Sequence, residues 1–242
     1  MEISTIAIAT AGGLVPALIW LYFLLKEDSR CPEPRHMVAL AFLAGMIAVP
    51  LVLPPESFAL AHLASGLPRV TALAAIEELA KYLLAALVIL WQPAVDEPID
   101  YVIYLITVAL GFAAFENALY ICQPNAAFMC TPFVGTHILA GALTDNVRFV
   151  GSTLLHTIAS ASIGFALAFS YKKSSLTRIL FVTIGVILAI TLHTAFNLLI
   201  MSSGGAYISD ALLLVWTGVV IVFALFEFLK YRTYRKLPAN VC

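Results

Sequence analysis

Apolar runs long enough to cross a bilayer alternate with short polar connections along the whole chain. They fall at about 5–25, 36–53, 70–91, 99–121, 147–170, 178–201 and 208–229, and a helix needs about 20 predominantly apolar residues to cross about 30 Å of hydrocarbon. The connections hold turn-forming residues: Pro32 and Pro34, Pro54-Pro55, Pro93 and Pro98, Pro124 and Pro132, and Gly204-Gly205. The pattern predicts an all-α polytopic transmembrane helical bundle of seven spans, a single integral membrane domain over residues 1–242. The stretch 135–146 is apolar enough to enter the membrane, but joined to the fifth span it is too long for a straight crossing. It reads as a short outer or re-entrant helix before that span. An eighth span there is the alternative, and it would spoil the charge alternation that follows. No internal repeat is visible, and an odd count of spans does not divide into inverted halves.

Charge supplies an orientation. With the N-terminus outside, inner segments hold Lys26, Arg30, Arg35, Lys172, Lys173, Arg178, Lys230, Arg232, Arg235 and Lys236, whereas outer segments hold only Arg69. Such a bias places the basic loops in the cytoplasm and the C-terminus inside. The first run lacks a preceding basic region, so it reads as a spanning helix and not as a cleaved signal. The 242 residues are 62% hydrophobic and 11% charged, with a net charge of −1 and a mean hydropathy of +1.00. This is the composition of a multispanning membrane protein with the lipid bilayer as its surroundings. It offers no clustered positive charge for nucleic acid. Cys31, Cys122, Cys130 and Cys242 show no CxxC spacing. Cys122 and Cys130 share a predicted outer loop in which an oxidising exterior permits a disulfide, although spacing does not establish the geometry.

Polar residues inside the spans change the picture most. In the third span Glu77, Glu78 and Lys81 interrupt an apolar run. A charge at the centre of a membrane helix costs about 2.5 to 3.5 kcal/mol on insertion scales and marks function by default. Lys81 lies one turn after both acids, but one Lys cannot neutralise two Glu. The surplus carboxylate must be protonated, bound to a metal or paired with another helix. The fourth span adds Phe112, Glu116, Asn117 and Tyr120. The fifth carries Arg148, Ser152, His156 and Ser160 at four-residue spacing, with Asp145 placed to pair with Arg148. The sixth carries His193 and Asn197 one turn apart. At about 1.5 Å per residue, Glu77 and Glu78 lie roughly 11 to 12 Å below the outer surface, Glu116 roughly 8 Å, His156 roughly 14 Å and His193 roughly 12 Å. Four antiparallel helices thus bring acids and imidazoles to one layer in the outer half of the bilayer.

Hydrolysis in a membrane-sunk pocket needs these residue types. A carboxylate takes a proton from water, an imidazole orients that water or protonates the leaving amine, and Asn or His donors stabilise the oxyanion. The same groups, Glu77, Glu78, Glu116, His156 and His193, also suit a divalent metal such as zinc. The pattern HExxH is absent, and the sequence does not separate the two chemistries. Bland readings stand beside these: a structural ion pair for Glu77-Glu78-Lys81, interhelical hydrogen bonding for His193 and Asn197, and neutralisation of Asp145 for Arg148. His36, His62 and His137 read as surface residues, and Trp20, Trp91 and Trp216 as interfacial anchors. A proton- or ion-coupled transporter is the rival function, but a pathway spreads its polar groups over depth, and here little but Glu227 occupies the inner half. A noncatalytic membrane chaperone is a second rival.

The ordered set Glu77-Glu78 with Lys81, Phe112 and Glu116 as FxxxE followed by Asn117 and Tyr120, Arg148 with His156, and His193 with Asn197 as HxxxN resembles the PrsW-type intramembrane proteases. That family is distantly allied to the CAAX-processing and bacteriocin-processing endopeptidases. The resemblance covers a motif-bearing core of about 69–201. It implies a glutamate-dependent or metal-dependent endopeptidase of a bacterial or archaeal cytoplasmic membrane. Such an enzyme cuts membrane-anchored proteins near the extracytoplasmic face, anti-sigma factors among the better-studied relatives. Carried over from the CAAX relatives, Glu77 and its neighbour Glu78 with His156 activate water, and His193 with Asn197 holds the oxyanion. Lys81, Arg148 and Tyr120 are supporting residues. Those relatives have FxxxH where this chain has Glu116, so the role of Glu116 stays open.

Overall fold

The computed structural model describes residues 3–122, 138–201 and 206–235, with the side chains of 3–6, 8, 120–122, 138–149 and 201 excepted. The described residues form seven helices: α1 (Ile3–Glu27), α2 (Arg35–His62), α3 (Leu67–Val88), α4 (Asp100–Cys122), α5 (Ile138–Phe169), α6 (Ser175–Met201) and α7 (Ile208–Tyr234). Helix satisfies every backbone polar group within one segment, which hydrocarbon requires of a spanning chain. Six of the seven are long and apolar enough to cross a membrane. The exception is α3, whose 22 residues span about 33 Å at the usual rise but carry Arg69, Glu77, Glu78 and Lys81.

At the centre lies α4, with every residue from Tyr101 to Ala114 buried. It packs against α1, α2 and α5, and a helix apolar on all sides belongs in such a place. Backbones approach closely there: a Cβ on Gly45 would lie 1.9 Å from the Val108 carbonyl oxygen, and one on Gly111 2.0 Å from that of Phe42. Small residues let membrane helices meet at this range. The α2–α4 contact is thereby fixed at two levels.

Two stretches differ from the sequence expectation. α2 does not stop at Pro54-Pro55 but continues to His62. The prolines remove two rungs of the helical ladder, yet flanking residues hold the helix. Its turn into α3 is set by Arg69, whose Nη2 donates to the Leu63 carbonyl at 2.7 Å, and by Gly66, whose φ of 96° suits glycine. The second difference concerns the expected separate outer or re-entrant helix over 135–146. From Ile138 onward the backbone runs uninterrupted into α5, whose 32 residues exceed a straight crossing.

Seven antiparallel helices bring alternate ends together. At one end Tyr234 Oη donates to Asp28 Oδ1 at 2.7 Å, Tyr104 donates to Glu33, Tyr171 Oη donates to the Asp96 carbonyl at 2.5 Å, and Arg178 Nη2 donates to Tyr101 Oη at 3.2 Å. Cys31, at this end, is disulfide-bonded. Cys122 and Cys130, for which the sequence only permits a disulfide, lie outside the described side chains. The polar cluster described next sits toward the opposite end.

Candidate active site

α3 turns its polar residues inward by simple periodicity. Ala74, Glu77, Glu78, Lys81 and Ala85 are buried, whereas Leu79, Leu83 and Leu87, four residues apart, are exposed and form the lipid-facing stripe. The charged stripe therefore faces α4, α5 and α6. On α5, His156 and Ser160 are buried and Ser152 half-buried, so the four-residue stripe also faces inward. On α6, Ala189, His193 and Phe196 share the buried face, while Ile184, Ile187, Leu188 and Thr191 are exposed.

These faces meet in one hydrogen-bonded chain. Lys81 Nζ donates to Glu78 Oε1 at 2.5 Å and to His156 Nδ1 at 2.8 Å. His156 Nε2 stands 2.8 Å from Glu116 Oε2, and His193 Nδ1 stands 2.8 Å from the same Glu78 Oε1. Because an ammonium has only donors, His156 Nδ1 must accept, and its proton sits on Nε2 toward Glu116. Because a carboxylate only accepts, His193 carries its proton on Nδ1 and leaves the Nε2 lone pair free. That lone pair faces Glu77 Oε2 at 3.8 Å. The imidazole rings of His156 and His193 meet edge-on with centroids 5.0 Å apart. Phe112 forms one wall, its ring 5.1 Å from that of His156 and 4.7 Å from Lys81 Nζ, a cation–π distance.

Glu77, Glu78, Lys81, Glu116, His156 and His193 are thus gathered in one place, at the common depth the sequence predicts. Glu116 is the open member, its side chain 39% exposed against 9% or less for Glu77, Glu78, His156 and His193. Asn197 follows His193 by one turn and is half-buried. Among the described side chains it makes no polar contact with the cluster. Asn117 is not in the cluster but donates to Thr153 Oγ1 at 3.1 Å, joining α4 to α5. The side chains of Tyr120 and Arg148 lie outside the described set.

Sequence reasoning missed Glu56. This α2 carboxyl lies close enough to Glu77 and Glu116 for both to act on it. Reading Pro54-Pro55 as a loop hid it. The signal was an acidic residue between apolar Val52 and Phe58-Ala59-Leu60.

Donor chemistry fits a cation here. Ligand atoms of Glu77, His156 and His193 lie within 4.8 Å of one another. Glu77 Oε2 and Glu78 Oε2 are buried and find no donor among the described residues. Among the described side chains, four carboxyls gather about one ammonium. Buried acids in that excess require protons or a cation. His156, however, has both ring nitrogens engaged, so Glu77 and His193 offer the free ligand atoms.

A cluster of buried carboxylates and imidazoles among apolar helices is the kind of site an intramembrane hydrolase requires. The sequence profile of the PrsW family intramembrane metalloproteases matches residues 33–226, and the chain belongs to that family. It is 24% identical over 219 residues to Protease PrsW of Bacillus subtilis (strain 168), covering 85% of this chain and 89% of the relative. It is 23% identical over 196 residues to Protease PrsW of Clostridioides difficile (strain 630), covering 78% and 77%. It is 32% identical over 118 residues to Protease PrsW of Geobacillus kaustophilus (strain HTA426), covering 46% and 51%. No solved structure matches this chain.

Proposed function

We propose that this chain hydrolyses a peptide bond of a membrane-anchored protein in the outer half of the bilayer, in a metal-dependent reaction. The carrying observation is the 3.8 Å separation of Glu77 Oε2 and His193 Nε2, an acceptor without a donor among the described residues facing a lone pair. Zinc binds carboxylate oxygen and imidazole nitrogen at about 2.0 to 2.2 Å, so two ligands of one ion stand up to about 4 Å apart. When bound, the ion supplies Lewis-acid activation of water and of the scissile carbonyl. Glu78 holds His193 in the ligating tautomer, the role a carboxylate commonly plays behind a metal-binding imidazole. Lys81 fixes His156 and balances Glu78.

Glu116 then has the arrangement of the proton acceptor. It is the most exposed carboxyl of the cluster, and its hydrogen bond to His156 Nε2 leaves the other carboxylate oxygen for water. The water-activating role that the resemblance gives to Glu77 passes to Glu116 in this reading. His193 directs a lone pair and not a proton into the site, so Asn197 is the remaining oxyanion donor of the HxxxN pair.

The reading treats residues 1–242 as one membrane domain with the N-terminus outside and the C-terminus inside. Supporting it, Lys26, Arg30, Arg35, Lys172, Lys173, Arg178, Lys230, Arg232 and Arg235 belong to the end away from the cluster. Cys31 at that end is disulfide-bonded, which an oxidising side favours, so the two features pull in opposite directions. Reporter fusions at Lys172 and Lys236 separate them: export of either fusion overturns the orientation. By family resemblance, a single-pass anti-sigma-factor-like protein is the substrate class.

Purified full-length protein, reconstituted with a single-pass substrate, tests the chemistry. Chelation should abolish cleavage and zinc should restore it, with about one ion per chain. Undiminished cleavage by metal-free protein would reject the metal-dependent reading.

A further inference from the structure

We propose that Glu56 of α2 is a further carboxylate of the cation-holding set, sharing the ion with Glu77. The inference rests on the metal-dependent reading above and adds a helix that lies outside the motif-bearing core 69–201. Its basis is the packing beneath the site. Val52, Phe112 and, partly buried, Ile76 and Ala80 belong to a single apolar cluster joining α2, α3 and α4. Val52 is one turn before Glu56, Phe112 one turn before Glu116, and Ala80 three residues after Glu77. Residues at such spacing share a helix face. The cluster that locks the three helices together therefore aims Glu56, Glu77 and Glu116 at one another from directly above it.

The contacts agree with that placement. Glu56 lies close enough to Glu77 and Glu116 for both to act on it, while Glu77 Oε2 has no donor among the described residues. Two neighbouring carboxylates repel, and a divalent ion held in common turns that repulsion into attraction. His156, by contrast, is occupied by Lys81 and Glu116. Glu56 thus joins the set through Glu77, beside the ligand atoms of Glu77, His156 and His193 that lie within 4.8 Å of one another. Gly45 and Gly111 hold α2 close against α4.

Zinc affinity of the detergent-solubilised full-length protein, measured by competition with a chromogenic chelator, tests the inference. Glu56→Gln keeps the size and a hydrogen bond to Glu77 but removes the charge. It should bind zinc about ten- to a hundredfold more weakly than wild type, while the metal-free proteins melt at similar temperatures. Glu56→Asp should recover part of the affinity. If Glu56→Gln binds zinc within twofold of wild type, the inference is wrong even though the metal reading stands. A lowered melting temperature with unchanged affinity assigns Glu56 to packing alone and also overturns it. If wild type binds no zinc, the metal-dependent reading itself has failed.

Discussion

Lys81 Nζ stands 2.8 Å from His156 Nδ1, and that one contact fixes the proton on the far nitrogen of the ring. It links α3 to α5 inside the bundle, and the same ammonium neutralises Glu78 at 2.5 Å. Lys81→Met therefore does two things. It leaves Glu78 as an uncompensated buried charge, which costs about 3 to 5 kcal/mol, and it frees His156 to change tautomer. Adding Glu78→Gln should recover much of the stability and none of the cleavage. Thermal melts and single-turnover assays on the three variants check this. Wild-type melting and turnover in Lys81→Met would show that the contact does not matter.

A second expectation concerns the α2–α4 contact that carries Glu56 and Glu116 into register. A Cβ at Gly111 meets the Phe42 carbonyl oxygen at 2.0 Å, and backbone cannot step aside as a flexible side chain can. Gly111→Val should push the helices apart, costing about 1 to 3 kcal/mol or more. Zinc affinity should fall with it, because Glu56 withdraws from Glu77. Gly218→Ala is the comparison: it meets only the Ile158 side chain, Cδ1 at 2.6 Å, which can turn away. Equal effects of the two substitutions would contradict this account.

Much of this was legible in the sequence because both signals are periodic. Apolar length sets the spans, and the spacing of Glu77, Glu78 and Lys81 sets the inward face of α3. Equal depth followed from helix rise and alternating direction. Three things were not legible. Pro54-Pro55 reads as a loop because proline removes local hydrogen bonds, but the surrounding bundle keeps α2 helical and so places Glu56. The tautomers of His156 and His193 depend on which partner each nitrogen meets, a tertiary fact without local signature. The buried ends of Asp28 and Glu33 depend on Tyr234 and Tyr104, far away in the chain.

The Asp28 pairing predicts a pH dependence. Burial pushes its carboxyl up from the usual range to about 7, with the Tyr234 hydrogen bond opposing and the Asp100 and Glu97 charges adding. An acid whose folded value is raised keeps its proton in the native state while the unfolded chain has released it, so stability falls as pH rises. The loss begins above about 4, the unfolded value, and levels off above about 7. Glu33 and Glu97 are raised by burial in the same direction. Asp28→Asn keeps the acceptor for Tyr234 and should lessen the fall in melting temperature between pH 5 and 8, raising it most near neutrality. An unchanged slope in that variant would place the titration elsewhere.

The roles of Glu77 and Glu116 can be told apart by metal content. Glu77 Oε2 is buried, lacks a donor and faces the free lone pair of His193, whereas Glu116 is open and bonded to His156. Glu77→Gln should lose both bound zinc and cleavage, since an amide oxygen is a poorer ligand and its nitrogen none at all. His193→Gln should do the same. Glu116→Gln should retain stoichiometric zinc and substrate affinity yet turn over about a hundred- to ten-thousandfold more slowly, the usual contribution of a positioned general base. Asn197→Ala should also keep its zinc and slow turnover by about a hundred- to a thousandfold, as expected for one oxyanion donor. Metal analysis of each purified variant beside its turnover supplies the comparison. Loss of zinc from Glu116→Gln together with its retention in Glu77→Gln would exchange the two assignments, making Glu116 the ligand and returning the proton to Glu77.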